Sequence, residues 1–395
     1  MRIVDLDGSA FERGRQQGEL LREEYRGVMR DLLSSPEWRD HKPPLFPDGL
    51  VGPVLSVAGR AMTWPWGRRH VPAQAARVKG LAKGLGLSTS QTWGLQFLEV
   101  VFCEAGSSLA PPPPVGCTVV QAQPHATASG EMLTARNYDF PTMLQPYQVV
   151  RREVPTEAGR LATTTVTQVA LVGAHQGVNE AGLVVSMNNA RLWRGPHLRY
   201  HGVPLSLLAM ELLETCRTTA EAIERVRATT ARSNAGFVSL CDRSGDAAIV
   251  ETTVRDLAVR RPDASGVLAQ ANHFTELAHA NLPEGTKWTV AGMEDQEYLA
   301  GSRARQRAAL DHLAKAAGEI SVRTLQQVMA DHDGCDAGHE ATVCAHGPRG
   351  GTLSSMVIEN ASRTMWIAAG NPCAHPWTEV RFRGGAASEQ RVAAK

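Results

Sequence analysis

Long apolar runs and an excess of one charge are both missing from this sequence. No stretch reaches the roughly 18 consecutive apolar residues that a transmembrane helix needs. The 41 basic and 40 acidic residues leave a net charge of +1, which argues against binding to nucleic acid or to a membrane surface by bulk charge. We therefore expect no nucleic-acid partner and no membrane association.

The patterns typical of a secretory leader, a disulfide framework and the common cofactor motifs are also not visible in this sequence. The first residues, MRIVDLDGSAFERGRQQGE, contain no basic segment followed by an apolar one, so we expect no secretory signal. Seven cysteines, an odd number spread over 395 residues, favour reduced thiols and a cytoplasmic protein. There is no GxGxxG, P-loop, HExxH or internal repeat, and we expect no cofactor.

The pattern of apolar, β-branched and helix-breaking residues changes along the chain. Residues 10–35 and 72–105 have apolar side chains at helical spacing, whereas the Pro- and Trp-rich stretch 36–66 predicts an irregular connection. Short β-branched runs follow a breaker-rich segment at 106–116 and predict an antiparallel sheet. Strands, then helices, then strands predict an α+β layered domain. Later helices are predicted at 204–216, 219–229, 299–317 and 322–330, and later strands at 236–241, 246–254, 256–260, 341–345, 353–359 and 364–369.

The most informative point is the Gly116–Cys117 bond, where the breaker segment meets the first of these strands. A strand cysteine is ordinarily a small inert side chain, as we expect for Cys103, Cys216 and Cys241. Cys117 differs because cutting this bond would make it a chain terminus. Its free α-amine, with a pKa of about 7.7–8.0, could then take the thiol proton. Spacing alone leaves a structural cysteine as the alternative.

Arg136 and Asp139 lie within a strand-like run, ARNYDF. The two-residue period of a strand places Asn137 and Asp139 on one face and Arg136 on the other. A carboxylate near Cys117 could anchor its ammonium group, and an arginine could lower the pKa of its thiol. A surface salt bridge at a turn is the alternative.

Two further segments carry candidate catalytic groups. Asn272 follows the apolar run GVLAQ, and a strand-end asparagine can present its amide to a developing oxyanion, although a turn residue is the alternative. The neighbouring His273 is a candidate base. Ser302 and Arg305 open the predicted 299–317 helix, where a solvated helix face is the default interpretation.

The stretch from His332 to His346 also holds Cys335, His339 and Cys344, residue types that bind zinc. The spacing is not that of paired CxxC motifs, and Cys344 and His346 fall in a predicted strand, on one face. We therefore favour a turn followed by a core strand, and we expect no metal.

Taken in order, these residues resemble the isopenicillin N acyltransferase family of autoproteolytic acyltransferases and hydrolases. That family belongs with the N-terminal-nucleophile hydrolases, alongside choloylglycine hydrolases and acid ceramidase. The resemblance covers about residues 5 to 378. The matching blocks are Gly8, Glu12, Gly14 and Gly18; Gly116-Cys117-Thr118; ARNYDF; GVNEAGLVVSMNN; ANHF; Ser302 and Arg305; DHDG; VCAHG; TLSSMVIE; and Gly370, Pro372 and Cys373.

The resemblance implies a four-layer αββα fold and a precursor that cuts itself before Cys117. Residues 1–116 would be a helical α chain that stays bound, and residues 117–395 a catalytic β chain with a frayed tail after about 380, giving a heterodimer from one precursor. Cys117 would be both autocatalyst and nucleophile, and would form an acyl-enzyme from a small-molecule amide or acyl-CoA. Asp139 would hold the new α-ammonium group.

The resemblance implies roles for four more side chains. Arg136 or Arg305 would tune the thiolate or bind a carboxylate, and Asn272 with Asn188 would serve the oxyanion. The choice between Asn188 and Asn189 stays open, because the spacing varies among relatives.

This chain departs from the family pattern in a proline run, Pro111–Pro114, and in a long insert at 279–298, so substrate specificity does not carry over. Hydrolysis and acyl transfer also stay open, since the outcome depends on whether water or an amine reaches the acyl-enzyme. Two alternatives remain: an uncut, non-catalytic binding or scaffold protein, and a papain-like hydrolase that uses Cys117 with His273.

Overall fold

Two β-sheets lie face to face between two layers of helices in the computed structural model. It describes residues 1–35, 47–100, 116–190, 201–281, 295–347 and 350–384. The predicted frayed tail lies outside this part, apart from its first residues, and so do the proline run, Cys103 and most of the 279–298 insert. The described helices are α1 Ala10–Leu20, α2 Arg22–Ser34, α3 Val51–Met62, α4 Trp64–His70, α5 Pro72–Leu85, α6 Thr89–Val100, α7 Leu205–Thr215, α8 Thr219–Ala228, α9 Asp295–Lys315 and α10 Val322–Met329.

The larger sheet has eight strands and the smaller has six. Their orders are β1-β4-β5-β6-β7-β8-β9-β10 and β11-β2-β3-β12-β13-β14. Neighbouring strands are antiparallel except for β1 and β4. The strands are β1 Arg2–Gly8, β2 Thr118–Ala122, β3 Leu133–Phe140, β4 Gln148–Pro155, β5 Thr163–Gln168, β6 Gln176–Asn179, β7 Val184–Asn189, β8 Gly236–Cys241, β9 Ala247–Thr252, β10 Leu257–Arg260, β11 Val267–Gln270, β12 Gly351–Glu359, β13 Thr364–Ala368 and β14 Trp377–Val380.

Three apolar cores hold these four layers together. One lies between the sheets and includes Phe237, Ile249 and Met356. A second joins helices α5 to α8 to the outer face of the larger sheet, and a third joins α9 and α10 to the outer face of the smaller one. Because strand side chains alternate between faces, each sheet can bury both of its surfaces. The predicted αββα architecture is therefore confirmed.

The sequence around α1 explains how this helix begins and how it packs. Ser9 accepts a hydrogen bond from the backbone of Glu12 and caps α1. Close helix packing also explains the glycines of α1, since a Cβ on Gly14 would lie 2.1 Å from the carbonyl oxygen of Arg77 in α5. None of the helices in the described residues is long and apolar enough to cross a membrane.

Two predictions about local structure are wrong. The predicted irregular connection 36–66 contains helix α3 and the start of α4, because prolines in the first turn of a helix cost no backbone hydrogen bond; Pro65 occupies such a position. The predicted strand at 341–345 is instead a series of turns and bends. That second error matters because a turn, unlike a strand, can direct Cys344 and His346 toward a common point.

Candidate functional site

Cys117 stands directly before β2, at the end of the smaller sheet where β2 lies between β3 and β11. Its side chain is 5% exposed and belongs to the core between the sheets. Thr118 is paired with Asn137 of β3, so Cys117 lies beside the ARNYDF block. The strand order thus brings together two motifs that are about twenty residues apart in sequence.

Arg136 connects the thiol to the opposite sheet. Its Nη2 lies 3.2 Å from Cys117 Sγ and also donates to the carbonyl oxygen of Met187 at 2.6 Å, while its Nε donates to Asn188 Oδ1 at 3.0 Å. The guanidinium is 1% exposed. A buried cation at this distance favours the thiolate over the thiol.

Burial nevertheless disfavours ionisation of the Cys117 thiol in the uncut chain. Burial raises the pKa of the Cys117 thiol above its ordinary value of 9.0, and the Arg136 guanidinium opposes this rise only in part. Apart from Arg136, the hydrogen-bond partner of Sγ among the described residues is the backbone carbonyl oxygen of Asp139, at 3.9 Å. Neither group is a base that could take the thiol proton near neutral pH.

Asp139 points to the other face of β3, as the strand period predicts. Its Oδ1 accepts a hydrogen bond from Thr352 Oγ1 at 2.7 Å, and its Oδ2 has no hydrogen-bond partner in the part of the chain described. Burial raises the pKa of Asp139 to about 7, against the opposing effects of Arg305, Thr352 and Arg136. The surface salt bridge considered for this motif is therefore wrong.

Thr352 is a residue that the sequence did not single out. It is the strand partner of Asp139 across β3 and β12, and these positions are more than two hundred residues apart. The TLSS block marked the segment without indicating its contact, because strand register is not visible in one strand alone.

Gly116, Asn272 and Arg305 meet on the amino-terminal side of the Gly116–Cys117 bond. A Cβ placed on Gly116 would lie 2.2 Å from Asn272 Oδ1 and 2.8 Å from Arg305 Nη2. Arg305 Nη2 donates to Asn272 Oδ1 at 2.9 Å, and Asn272 Nδ2 donates to the carbonyl oxygen of Asn189 at 2.7 Å. The cation is thus close to Gly116, while an oxyanion role for Asn272 requires its amide to turn.

The solvated helix face expected for Ser302 and Arg305 is wrong, because both residues are completely buried. They lie one turn apart in α9, which already begins at Asp295. Ser302 Oγ accepts from the backbone nitrogen of Asn272 at 2.8 Å. One turn of α9 therefore fixes both the backbone and the side chain of Asn272.

The two candidate asparagines on β7 face different neighbours. Asn188 Nδ2 lies 3.5 Å from the carbonyl oxygen of Cys117 and also contacts the carbonyl oxygens of Gln270 and Ala271. The side chain of Asn189 is bound instead to Glu99 and Asn234. Strand alternation therefore puts Asn188, and not the side chain of Asn189, beside Cys117.

His273 is placed poorly for a base that would activate Cys117. Its Nδ1 is 2.9 Å from Ser302 Oγ, and in the described residues no hydrogen bond joins it to Cys117. Burial, with nearby Arg303, Arg305 and Arg260, lowers the pKa of His273 to about 4. Its ring is thus neutral at physiological pH and engaged elsewhere.

An apolar cavity adjoins this site through Tyr138. Its walls include Met29 of α2, Leu95 of α6 and Leu144. The Tyr138 ring lies in the same wall and also faces the guanidinium of Arg136, 5.0 Å from its centre. The cavity is therefore separated from Cys117 by one layer of side chains.

A buried polar pair, missed at the sequence level, lies in the wall of this cavity. His175 Nε2 is 2.9 Å from Glu99 Oε1, and the His175 ring stacks on Tyr138 with 4.6 Å between centres. Each residue alone is an ordinary buried polar side chain, so no local signal could have indicated the pair.

The structure also contains a group of side chains that could hold a metal ion. In the described parts of the chain, one set of side chains has ligand atoms close enough together, namely His332, Cys344, His346 and Cys373. Cys117 and its polar neighbours do not belong to that set, so metal chemistry is not implied at the thiol.

The comparisons with known proteins agree with this arrangement. The family model for acyl-coenzyme A:6-aminopenicillanic acid acyl-transferase matches residues 126–374, well over half of the chain. The chain belongs to this acyl-transferase family. Family membership and the two-sheet fold together support an N-terminal-nucleophile hydrolase or acyltransferase that acts on amides or acyl-CoA.

Distant solved structures are similar to this family member. An N-acylethanolamine-hydrolyzing acid amidase ortholog from Caenorhabditis elegans is 14% identical, with 62% of this chain and 93% of that chain covered and a TM-score of 0.41. Penicillin V acylase from Agrobacterium tumefaciens is 13% identical, with 67% and 86% covered and a TM-score of 0.41. A conjugated bile acid hydrolase mutant from Clostridium perfringens is 11% identical, with 68% and 97% covered and a TM-score of 0.39. No curated protein matches significantly.

The raised pKa of Asp139 predicts a pH-dependent stability of the uncut family member. Because the pKa of Asp139 in the folded chain, about 7, lies above its ordinary value of 3.8, the stability it contributes is present below that value and lost as the pH rises to about 7. Replacing Asp139 by asparagine in the Cys117→Ala background is expected to raise the free energy of unfolding near pH 8, relative to pH 4, by roughly 4 kcal/mol.

Urea titrations of Cys117→Ala with and without Asp139→Asn, over this pH range, measure the difference. The Cys117→Ala protein with Asp139 intact is the control. It shares every other titrating group with the double variant, so the contributions of those groups to the pH dependence cancel in the comparison. A difference between the two proteins that does not change with pH would contradict the raised pKa.

Proposed function

We propose that this chain is a self-cleaving cysteine enzyme that hydrolyses an amide or transfers an acyl group through an acyl-enzyme on Cys117. The observation that carries the proposal is the position of the thiol. It is buried beside the Arg136 guanidinium and next to a glycine enclosed by Asn272 and Arg305, and none of its hydrogen-bond partners among the described residues is a base. Cleavage before Cys117 would supply that base as the new α-amine.

Self-cleavage would begin with attack of the Cys117 sulfur on the carbonyl carbon of Gly116. The C–N bond then breaks, the thiol proton passes to the departing amine, and a thioester forms between Gly116 and the Cys117 side chain. Water hydrolyses the thioester, which releases the Gly116 carboxylate and regenerates the thiol. Among the described residues, Arg305 brings a cation to Gly116, and it is suited to stabilise the charge that develops there.

The same cysteine would then act on substrate. An α-amine with a pKa of about 7.7–8.0 can accept the thiol proton near neutral pH. Asp139, whose Oδ2 lacks a hydrogen-bond partner among the described residues, is suited to hold the resulting ammonium group. The sulfur would attack the acyl carbon of an amide or acyl-CoA, the C–N or C–S bond would break, and the amine or CoA thiol would leave with the proton held by the α-ammonium group; the acyl group would then pass to water or to an amine and free the sulfur.

The geometry disfavours both alternatives. A papain-like mechanism requires a histidine base at the thiol, but the His273 ring is bound to Ser302 and has a lowered pKa of about 4. An uncut binding protein would have no need for a buried arginine 3.2 Å from a thiol, because burying an unpaired charge is costly.

The cavity beside Tyr138 supports an apolar acyl group as the substrate class. Its walls are apolar apart from Gln168 and the Glu99–His175 pair, and such a surface favours hydrocarbon over a charged acyl group. A substrate screen should therefore pair aliphatic and aromatic amides and thioesters with matched acidic ones. Faster turnover of the acidic series would contradict this assignment.

The first test of self-cleavage is the intact mass of the purified chain under denaturing conditions, with Cys117→Ala beside it. A cut at Gly116–Cys117 gives two fragments in the wild type, and the larger one begins at Cys117.

Replacing Gly116 by alanine is expected to slow self-cleavage by about 10²-fold, the loss that a misplacement of about 1 Å causes. The added Cβ would lie 2.2 Å from Asn272 Oδ1, so either the scissile carbonyl or the Asn272–Arg305 pair must shift. The time course of fragment formation after purification measures the effect.

Gly49→Ala is the matched control, because a Cβ there meets no atom within 4 Å. Cleavage of Gly116→Ala at the wild-type rate would show that the bond is not held against Asn272 and Arg305.

A further inference from the structure

Four side chains of known metal-binding types converge at one end of the smaller sheet, away from Cys117. They are His332, Cys344, His346 and Cys373, and their ligand atoms all lie within 4.8 Å of one another. They come from three places: the turn after α10, the turns that replace the predicted strand at 341–345, and the turn after β13. The fold alone brings Cys373 to the others.

Four of their six pairwise separations lie close to those of a tetrahedral zinc site. Zn–S bonds of about 2.3 Å and Zn–N bonds of about 2.0–2.1 Å place two sulfurs about 3.8 Å apart, sulfur and nitrogen about 3.6 Å apart, and two nitrogens about 3.4 Å apart. The Cys344 and Cys373 sulfurs are 3.6 Å apart, and the Nε2 atoms of His332 and His346 are 3.2 Å apart. His346 Nε2 is 3.3 Å and 3.4 Å from the two sulfurs.

Hydrogen bonding alone does not explain this convergence. A ring nitrogen of histidine makes one hydrogen bond, as donor or acceptor, yet His346 Nε2 faces another imidazole nitrogen, two sulfurs and the amide of Asn371. A disulfide would need the sulfurs at about 2.05 Å and would leave the two imidazoles facing each other. A central cation uses one lone pair from each of the four side chains.

We propose that His332, Cys344, His346 and Cys373 bind one Zn²⁺ ion in a closed, structural site. Four protein ligands complete a tetrahedron, so no position is left for substrate or a reactive water. Asn371 provides outer support, because its Nδ2 lies 3.6 Å from Cys344 Sγ and donates to the carbonyl oxygen of Ala345 at 2.8 Å. The expectation from sequence that this segment holds no metal is thereby replaced.

The proposed ion would fix the segment that supports Asp139. The backbone nitrogen of Ala345, between two of the ligands, donates to Thr352 Oγ1 at 3.0 Å, and that hydroxyl donates to Asp139 Oδ1 at 2.7 Å. The metal would therefore act on the nucleophile's surroundings through position only. This goes beyond the proposed function, and it holds whether or not Cys117 is catalytic.

The experiment measures metal binding itself, on the wild type and on Cys117→Ala, so that its result does not depend on self-cleavage. Protein purified under reducing conditions is expected to contain one zinc per chain by mass spectrometry of the metals. After chelation, added Co²⁺ should give the visible bands of a tetrahedral thiolate site, and Zn²⁺ should remove them. Zinc should also raise the melting temperature of the chelated wild type.

Substitution identifies the ligands. Cys344→Ser and Cys373→Ser are expected to lose the cobalt bands, and because Cys373 is exposed its substitution leaves the core intact. Cys335→Ser is the matched control, since Cys335 is an exposed cysteine of the same loop outside the cluster. The proposal is overturned by wild type without bound zinc or cobalt bands, by a Cys344–Cys373 disulfide in freshly purified protein, or by equal loss of binding in Cys335→Ser.

Discussion

Replacing Cys117 by alanine is expected to leave one uncut chain of 42.6 kDa and to abolish turnover. The wild type should instead give fragments of about 12.5 and 30 kDa, in proportion to the 116 residues before the bond. Both effects share one cause, because the same sulfur attacks the Gly116 carbonyl and later the substrate carbonyl. Intact mass and the sequence of the new amino terminus measure cleavage, and hydrolysis of an amide or thioester measures turnover.

Cys216→Ala is the matched control for this substitution. Cys216 is also a buried free cysteine, but it lies at the end of α7 in a different core, so its loss should preserve both cleavage and turnover. Substantial residual turnover in Cys117→Ala would contradict the proposed nucleophile. An intact wild-type chain with full activity would contradict self-cleavage and would leave an uncut hydrolase as the better description.

Replacing Arg136 by methionine is expected to lower turnover by about 10²- to 10³-fold, as removal of one preorganised charge at a reacting group does. The guanidinium is the cation nearest to the thiol among the described residues, at 3.2 Å, and it also holds Asn188. Its removal would raise the pKa of the Cys117 thiol further, because burial already raises that pKa and the opposing charge would be gone.

The rate of alkylation of Cys117 as a function of pH, followed by peptide mass spectrometry, measures this change directly. A purely structural defect would not move the midpoint of that profile to higher pH. Arg136→Lys keeps the charge without the planar group and should restore part of the effect. Arg152→Met is the control, since Arg152 is an arginine of β4 that pairs with Asp5 at the surface. An unchanged alkylation profile in Arg136→Met would show that Arg136 does not tune the thiol.

Much of the site was visible in the sequence because its residues occur in short blocks with a definite local structure. The ARNYDF block predicted a strand with Arg136 and Asp139 on opposite faces, and the structure has that strand, buried as far as Asp139. The ordered blocks also led to the correct family and to the four-layer fold. Such features depend on neighbours within a few residues, which a single sequence displays.

Contacts between distant segments were not visible. Thr352 reaches Asp139 only through the register of β12 on β3, and Ser302 reaches Asn272 only because α9 packs beside the end of β11. The wrong prediction of a strand at 341–345 had the same origin. A β-branched residue beside buried residues is typical of a strand, and this pattern is the same whether the chain continues straight or turns. The same error placed Cys344 and His346 in a strand, whereas the turns there bring both side chains close to Cys373.

The sequence by itself therefore determined the alternation of buried and polar residues, the place of Cys117 behind a breaker segment, and the blocks that define the family. The tertiary structure decided which atoms meet: Arg136 at the thiol, Asn188 rather than the side chain of Asn189 beside Cys117, and Cys373 next to Cys344. The physical reason is that local backbone preferences act over a few residues, whereas the pairing of strands and the packing of layers join segments hundreds of residues apart.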